Sequence, residues 1–140
     1  MLREYRLDPQ QGSGVDQTTA AGVTSRIFRL KTGLDPKVSD DHELEPDLGL
    51  SAESPDAITW TIKIRPDAKF HNVAPVNGHP VEAEDIKATF TRALDPAVPN
   101  PNRGTLRMIN PAQITTPDKS TVVFELNFDL QHFPCSKGRS

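Results

Sequence analysis

Five acidic side chains crowd one histidine: Asp40, Asp41, Glu43, Glu45 and Asp47 surround His42. Such clusters hold divalent cations when alternate positions offer oxygen ligands and a glycine turns the loop. That spacing is missing, so the stretch reads as a solvated acidic loop. His71 and His79 are joined by a proline-rich connection and lack a third ligand at metal spacing. His132 and Cys135 have the types for an activated thiol, but no periodic element surrounds them to orient a base. Glu82, Glu84 and Asp85 could act as a general acid and base. They also open a helix, where the positive end of its dipole already favours carboxylates. Gly12-Ser13-Gly14 is too short for a phosphate loop, and no Gly-Lys-Ser/Thr follows it. These residue types predict no catalytic set, no metal site and no cofactor.

Composition narrows the classes further. The 140 residues fit one domain and carry a net charge of −3, without the excess positive charge that nucleic-acid binding needs. Leu, Ile, Val and Phe make up about 24% of the chain, close to the roughly 20% below which chains stay disordered. With 13 prolines as well, the expected core is thin and crossed by long loops. A single cysteine excludes an internal disulfide and any cysteine-based zinc or iron–sulfur site. No run of 18 apolar residues occurs, and Met1–Gln10 has no apolar segment of a signal peptide. No nucleic-acid partner and no direct membrane insertion are expected.

The elements that must position these residues follow from periodicity. Glu4–Leu7 reads as a short strand stopped by Leu7-Asp8-Pro9. Ala20, Val23, Ile27 and Leu30 share one helical face, which predicts a helix over Asp16–Leu30 capped by Asp16. From Asp35 to Asp56 the pattern is irregular. Ile58, Trp60, Ile62 and Ile64 alternate with Thr59, Thr61, Lys63 and Arg65, a strand with one buried face. Arg65–Pro80 is a long loop with a turn signal at Asn77-Gly78. A second helix spans about Glu82–Leu94, with Ala83, Ile86, Phe90, Ala93 and Leu94 as its apolar stripe and Asp95-Pro96 as its stop. Ala97–Pro111 reads as loop with a helical turn at Gly104–Ile109. A hairpin follows over Ala112–Phe128, turning at Pro117-Asp118-Lys119. Leu-Asp-Pro occurs three times, at residues 7, 34 and 94 onward, with unlike flanks, and reads as turn chemistry. The fold class expected is α+β, a small mixed sheet with two packed helices.

Five stretches in order resemble family 5 of the bacterial extracellular solute-binding proteins, the oligopeptide-, dipeptide- and nickel-binding components of ABC importers. Leu7-Asp8-Pro9 with its following loop resembles the family's opening. Val23–Pro36 resembles the next segment. Pro46, Asp47, Leu48, Trp60, Ile62, Ile64, Arg65, Ala68, Lys69, Phe70 and His71 fall on the family's strand-and-turn pattern. Gly78, Pro80, Val81, Ala83, Glu84, Asp85, Phe90, Arg92, Asp95 and Pro96 fall on its helix pattern, and the hairpin resembles a family strand. The resemblance covers about residues 7–128. Glu82 stands where a capping Thr or Ser is usual, and Gly49 where Ala is usual.

The resemblance implies the N-terminal lobe of a two-lobed, type II-like periplasmic binding protein. It divides the chain into a strand–loop–helix segment (1–34), an α+β subdomain (35–128) and a non-matching tail (129–140) expected to be disordered. It implies a fragment of an ABC substrate-binding protein for peptide or related solute uptake, working with an ABC permease outside the cytoplasm. A signal peptide and a lipid-anchor cysteine are not seen in the sequence, and the isolated chain is expected to bind no peptide measurably. Ser13, Gly14 and Val15 fall in the loop that approaches the ligand in peptide-binding relatives, where backbone contacts dominate. The alternatives are an independently folded, non-catalytic interaction module, or a truncated product without a function of its own.

Overall fold

The computed structural model describes residues 8, 10–11, 24–31 and 44–127. Its centre is a four-stranded antiparallel sheet built from β3 (Gly49–Glu53), β4 (Thr59–Ile64), β5 (Ile109–Asp118) and β6 (Thr121–Leu126), in the order β3-β4-β6-β5. A two-stranded antiparallel ladder precedes it: β1 (Phe28–Leu30) pairs with β2 (Leu44–Pro46). One α-helix, α1 (Ala83–Leu94), and one 3-10 helix (Arg103–Leu106) complete the described residues. The α+β class holds, and every strand pair among the described residues is antiparallel.

The alternation read in the sequence sets the sheet's two faces. Trp60 pairs with Phe124 and Ile62 with Val122, so their side chains share one face. That face buries Ile62, Ile64, Ile114, Val122 and Phe124 under α1, which adds Ala83 and Ile86. Burying an aliphatic side chain as fully as Ile114 or Val122 is worth about 1.5–3 kcal/mol. Trp60 is half-buried and packs on this core, and its indole N–H donates to the Ala57 carbonyl at 3.3 Å.

Helix α1 begins after Pro80 and ends at Asp95-Pro96, as its sequence demands. The Asp85 carboxylate accepts the Glu82 N–H at 2.8 Å. The Ala83 N–H donates to the Lys119 carbonyl at 2.8 Å, so the hairpin turn satisfies a helix donor that has no partner within the helix. The Asn77-Gly78 turn forms with φ of 48° and 71°, the left-handed values such a pair tolerates.

Two expectations change. Phe28–Leu30, the end of the expected Asp16–Leu30 helix, is strand β1, while residues 16–23 lie outside the described residues. An aromatic residue flanked by Ile27 and Leu30 serves either period, and the partner strand decides: Phe28 pairs with Pro46, and Arg29 pairs with Glu45 through a 2.7 Å ion pair. Within the stretch expected to be irregular, Leu44–Pro46 and Gly49–Glu53 are strands. The expected strand Glu4–Leu7 and the tail 129–140 lie outside the described residues.

Candidate functional site

An open cavity of about 440 Å³ lies beside the outer face of α1. Asp8 and Gln10 line one side, Asp85, Thr89 and Arg92 line the helix side, and Phe70 also borders it. Arg92 leaves α1 in its last turn, off the buried stripe, because Ala83, Ile86 and Ala93 occupy the inward positions. Its guanidinium reaches Asp8 with a bidentate grip, Nη2 to Oδ2 at 2.5 Å and Nη1 to Oδ1 at 3.3 Å. Nη1 also donates to Gln10 Oε1. Gln10 Nε2 returns to the helix and donates to the Thr89 carbonyl at 3.0 Å.

Asp8 also closes its own turn. Its Oδ1 accepts the Gln10 N–H at 3.0 Å, and its backbone carbonyl accepts the Gln11 N–H at 3.1 Å. The Arg92 guanidinium, with the Gln10 backbone N–H and the Gln11 side-chain amide (Nε2 to Oδ2 at 3.0 Å), holds the Asp8 carboxyl below the usual carboxylate range, and Asp8 in turn raises the guanidinium's pKa. A carboxylate held ionised between its cation and these N–H groups anchors the chain and does not deliver a proton.

The carboxylates at the start of α1 are likewise occupied. Glu82 receives Lys119 Nζ at 2.8 Å, which holds its carboxyl below the ordinary value and raises Lys119. Glu84 Oε2 accepts the Thr116 hydroxyl at 2.9 Å. Of the acidic cluster around His42, Glu45 pairs with Arg29, and Asp47 Oδ2 accepts the Arg26 N–H at 2.8 Å. Asp40, Asp41, His42 and Glu43 lie outside the described residues. His71 and His79 are exposed, and His79 Nδ1 lies 2.7 Å from the Pro80 carbonyl oxygen. Among the described residues no three His, Cys, Asp or Glu side chains group to hold a metal. No described helix is long and apolar enough to cross a membrane, which says nothing of β-barrels.

Ser13, Gly14 and Val15 lie outside the described residues, as do His132 and Cys135. The grip of Arg92 on Asp8 and Gln10 escapes sequence reading, since a last-turn arginine is already accounted for by the helix dipole. The available signal was that Asp8 and Arg92 both fall on motifs of the family resemblance.

The described fold is the fold of part of a two-lobed periplasmic binding protein. The PBP/SBP MoaA of A. tumefaciens R10, solved with mannopinic acid, matches with a TM-score of 0.71 and 26% identity over 89% of this chain and 23% of its own. The complex of Haemophilus influenzae OppA with the peptide RPPGFSPFR matches with a TM-score of 0.69 and 24% identity, over 89% of this chain and 25% of that one. In sequence, the periplasmic oligopeptide-binding protein OppA of H. influenzae is 36% identical over 98 residues, 68% of this chain. The chain spans 16% of the length of that relative. The profile of the bacterial extracellular solute-binding proteins, family 5 Middle, matches residues 43–133. The chain belongs to this family.

Proposed function

We infer that the chain serves in the substrate-binding protein of an ABC-type uptake system, outside the cytoplasm, as a non-catalytic part of the structure that holds a peptide or related solute. Its partners are that solute and the ABC permease that receives it, with no cofactor or metal. The family match over 43–133, which takes in α1 and the whole four-stranded sheet, carries this reading. Ser13, Gly14 and Val15 are its ligand-side residues, by resemblance, through backbone hydrogen bonds to an extended ligand.

The test is a chimera in which residues 8–127 replace the corresponding stretch of H. influenzae OppA, titrated with RPPGFSPFR, the peptide of that protein's solved complex. The expected result is a folded chimera with saturable peptide binding. A chimera that melts cooperatively yet binds neither this peptide nor a mixed peptide library overturns the reading.

A further inference from the structure

Asn77-Gly78, the turn signal of the sequence, sits in a closed surface loop. The Lys69–Pro80 bridge forms the loop's neck, where the Phe70 N–H donates to the His79 carbonyl and the Val81 N–H to the Ala68 carbonyl, each at 2.9 Å. Within the loop, the His71 carbonyl accepts the Val73 N–H at 2.8 Å and the Gly78 N–H at 3.1 Å. The Val73 carbonyl accepts the Asn77 N–H at 2.9 Å. Residues 71–77 are exposed, and Asn77 Nδ2 donates to the Pro75 carbonyl at a long 3.3 Å. A side-chain amide followed by an unhindered backbone N–H is a reactive pair, and Asn77 alone among the asparagines of the chain precedes glycine. Asn100 and Asn110 precede prolines, whose nitrogens carry no proton. Asn72, Asn102 and Asn127 precede Val, Arg and Phe, whose side chains crowd the following nitrogen.

We propose that Asn77 is a modification site, deamidated through a cyclic imide at a rate set by opening of the 71–78 loop. The Gly78 nitrogen gives its proton to solvent base and attacks Asn77 Cγ. The new N–C bond closes a succinimide ring, the Cγ–Nδ2 bond breaks, and the departing nitrogen takes up a proton and leaves as ammonia. Water then opens the ring at either carbonyl, giving aspartate or isoaspartate. Water is the co-reactant, and nothing is oxidised or reduced. The fold restrains this step. The His71 carbonyl holds the Gly78 N–H, and the turn fixes Asn77 and Gly78 at φ of 48° and 71°, so the nitrogen must leave its partner before it can reach Cγ. Exposed loops open locally without global unfolding, and the reaction passes through that open state. Either product adds a negative charge to a chain that already carries a net −3, and isoaspartate lengthens the main chain beside the Gly78–His71 bond. The neck bonds lie outside the altered linkage, so the sheet and α1 stay folded while the loop changes.

The test is incubation of the full chain in mildly alkaline buffer, with and without unfolding concentrations of urea, followed by peptide mapping in a mass spectrometer. The expected result in the folded chain is a gain of one mass unit at Asn77, with aspartate and isoaspartate both present there, and a faster gain in urea. Gly78→Ala is expected to lose the gain. That change loosens a turn with positive φ, so a purely conformational cause would speed the reaction instead. Val73→Gly frees the loop away from the reacting atoms, and Val73 is 66% exposed, so the core loses nothing. It is expected to speed the gain and leave the thermal midpoint unchanged. A folded chain that shows no gain by the time the urea-unfolded chain is fully converted overturns the assignment, as does an equal gain at Asn72 or Asn102. A gain that persists in Gly78→Ala overturns the cyclic-imide route. A rate unmoved by Val73→Gly or by urea overturns control by loop opening.

Discussion

The rings of Phe90 and Phe124 meet edge to face, with centroids 5.0 Å apart and planes at 76°. Phe90 comes from α1 and Phe124 from the central strand β6, so this contact joins helix to sheet. Edge-to-face pairs place the positive ring edge against the negative ring face and add about 0.5–1.5 kcal/mol beyond area burial. A double-mutant cycle with Phe90→Leu and Phe124→Leu, read by urea unfolding, is expected to return a coupling of that size. Additive effects would mean that helix docking depends on buried area alone.

Gly49 sits where no side chain fits. A Cβ there would stand 2.8 Å from Ile27 Cγ2, 3.0 Å from Phe28 Cζ and 3.1 Å from the Ile27 carbonyl oxygen. The Gly49 N–H also donates to that carbonyl at 2.8 Å, which pins the backbone in place. Gly49→Ala is expected to destabilise by about 1–3 kcal/mol, the usual range for overpacking. Ile27→Ala removes the closest contact, so the double variant should be less destabilised than the sum of the two single changes. A Gly49→Ala protein as stable as its parent would show that the 24–31 segment yields freely.

Ala57 turns the chain between β3 and β4 with φ of 59°. The left-handed region costs an L-residue about 1–2 kcal/mol, a strain that glycine escapes at the expense of chain entropy. The conformation aims the Ala57 carbonyl at the Trp60 indole N–H. Ala57→Gly is expected to raise the thermal midpoint by a few degrees, on the order of 1 kcal/mol or less. A lowered midpoint would show that chain entropy outweighs the relieved strain.

The parts of the fold legible in sequence are those where one element decides its own burial. Ile62 and Ile64 alternate with Lys63, Val122 and Phe124 alternate with Val123, and Ala83, Ile86 and Ala93 recur at helical spacing. Edge and short strands were less legible. In β3 only Gly49 is buried, and the alternating apolar residues Leu50 and Ala52 are exposed, so the alternation marks no buried face. Strand β1 exists through a partner beginning at Leu44, and such non-local pairing leaves no local periodicity. Ser13, Gly14 and Val15, expected by resemblance to face a ligand, lie outside the described residues. The anchor of Asp8 and Gln10 on Arg92 was not reached, because exposed polar side chains do not announce which distant partner they meet.

A polar network closes the β5–β6 hairpin. Asp118 Oδ2 accepts the Thr121 hydroxyl at 2.7 Å, and Oδ1 accepts the Ser120 hydroxyl and N–H, each at 2.8 Å. Lys63 Nζ donates to Thr121 Oγ1 at 2.6 Å and stands 3.9 Å from the carboxylate. The Thr121 hydroxyl, then the Ser120 donors and the Lys63 charge, lower the Asp118 pKa from 3.8 to about 2. Because the folded value is depressed, the ionised carboxylate stabilises the fold fully above pH 3.8 and loses that effect as pH falls toward about 2. Thr121→Val removes the largest cause and leaves the Lys63 ammonium without its hydroxyl acceptor. Its Asp118 should titrate closer to 3.8 in a carbon-detected NMR titration. Asp118→Asn keeps the turn's acceptor oxygen but removes the titration, so its unfolding midpoint should change less between pH 3.8 and about 2 than the parent's. Other depressed carboxyls, Asp8, Asp56 and Glu82, leave both proteins some acid sensitivity, so the comparison is a difference of slopes. Identical slopes, or a parent Asp118 that titrates at an ordinary aspartate value, would remove the carboxylate from the account of hairpin stability and leave the turn to its backbone bonds.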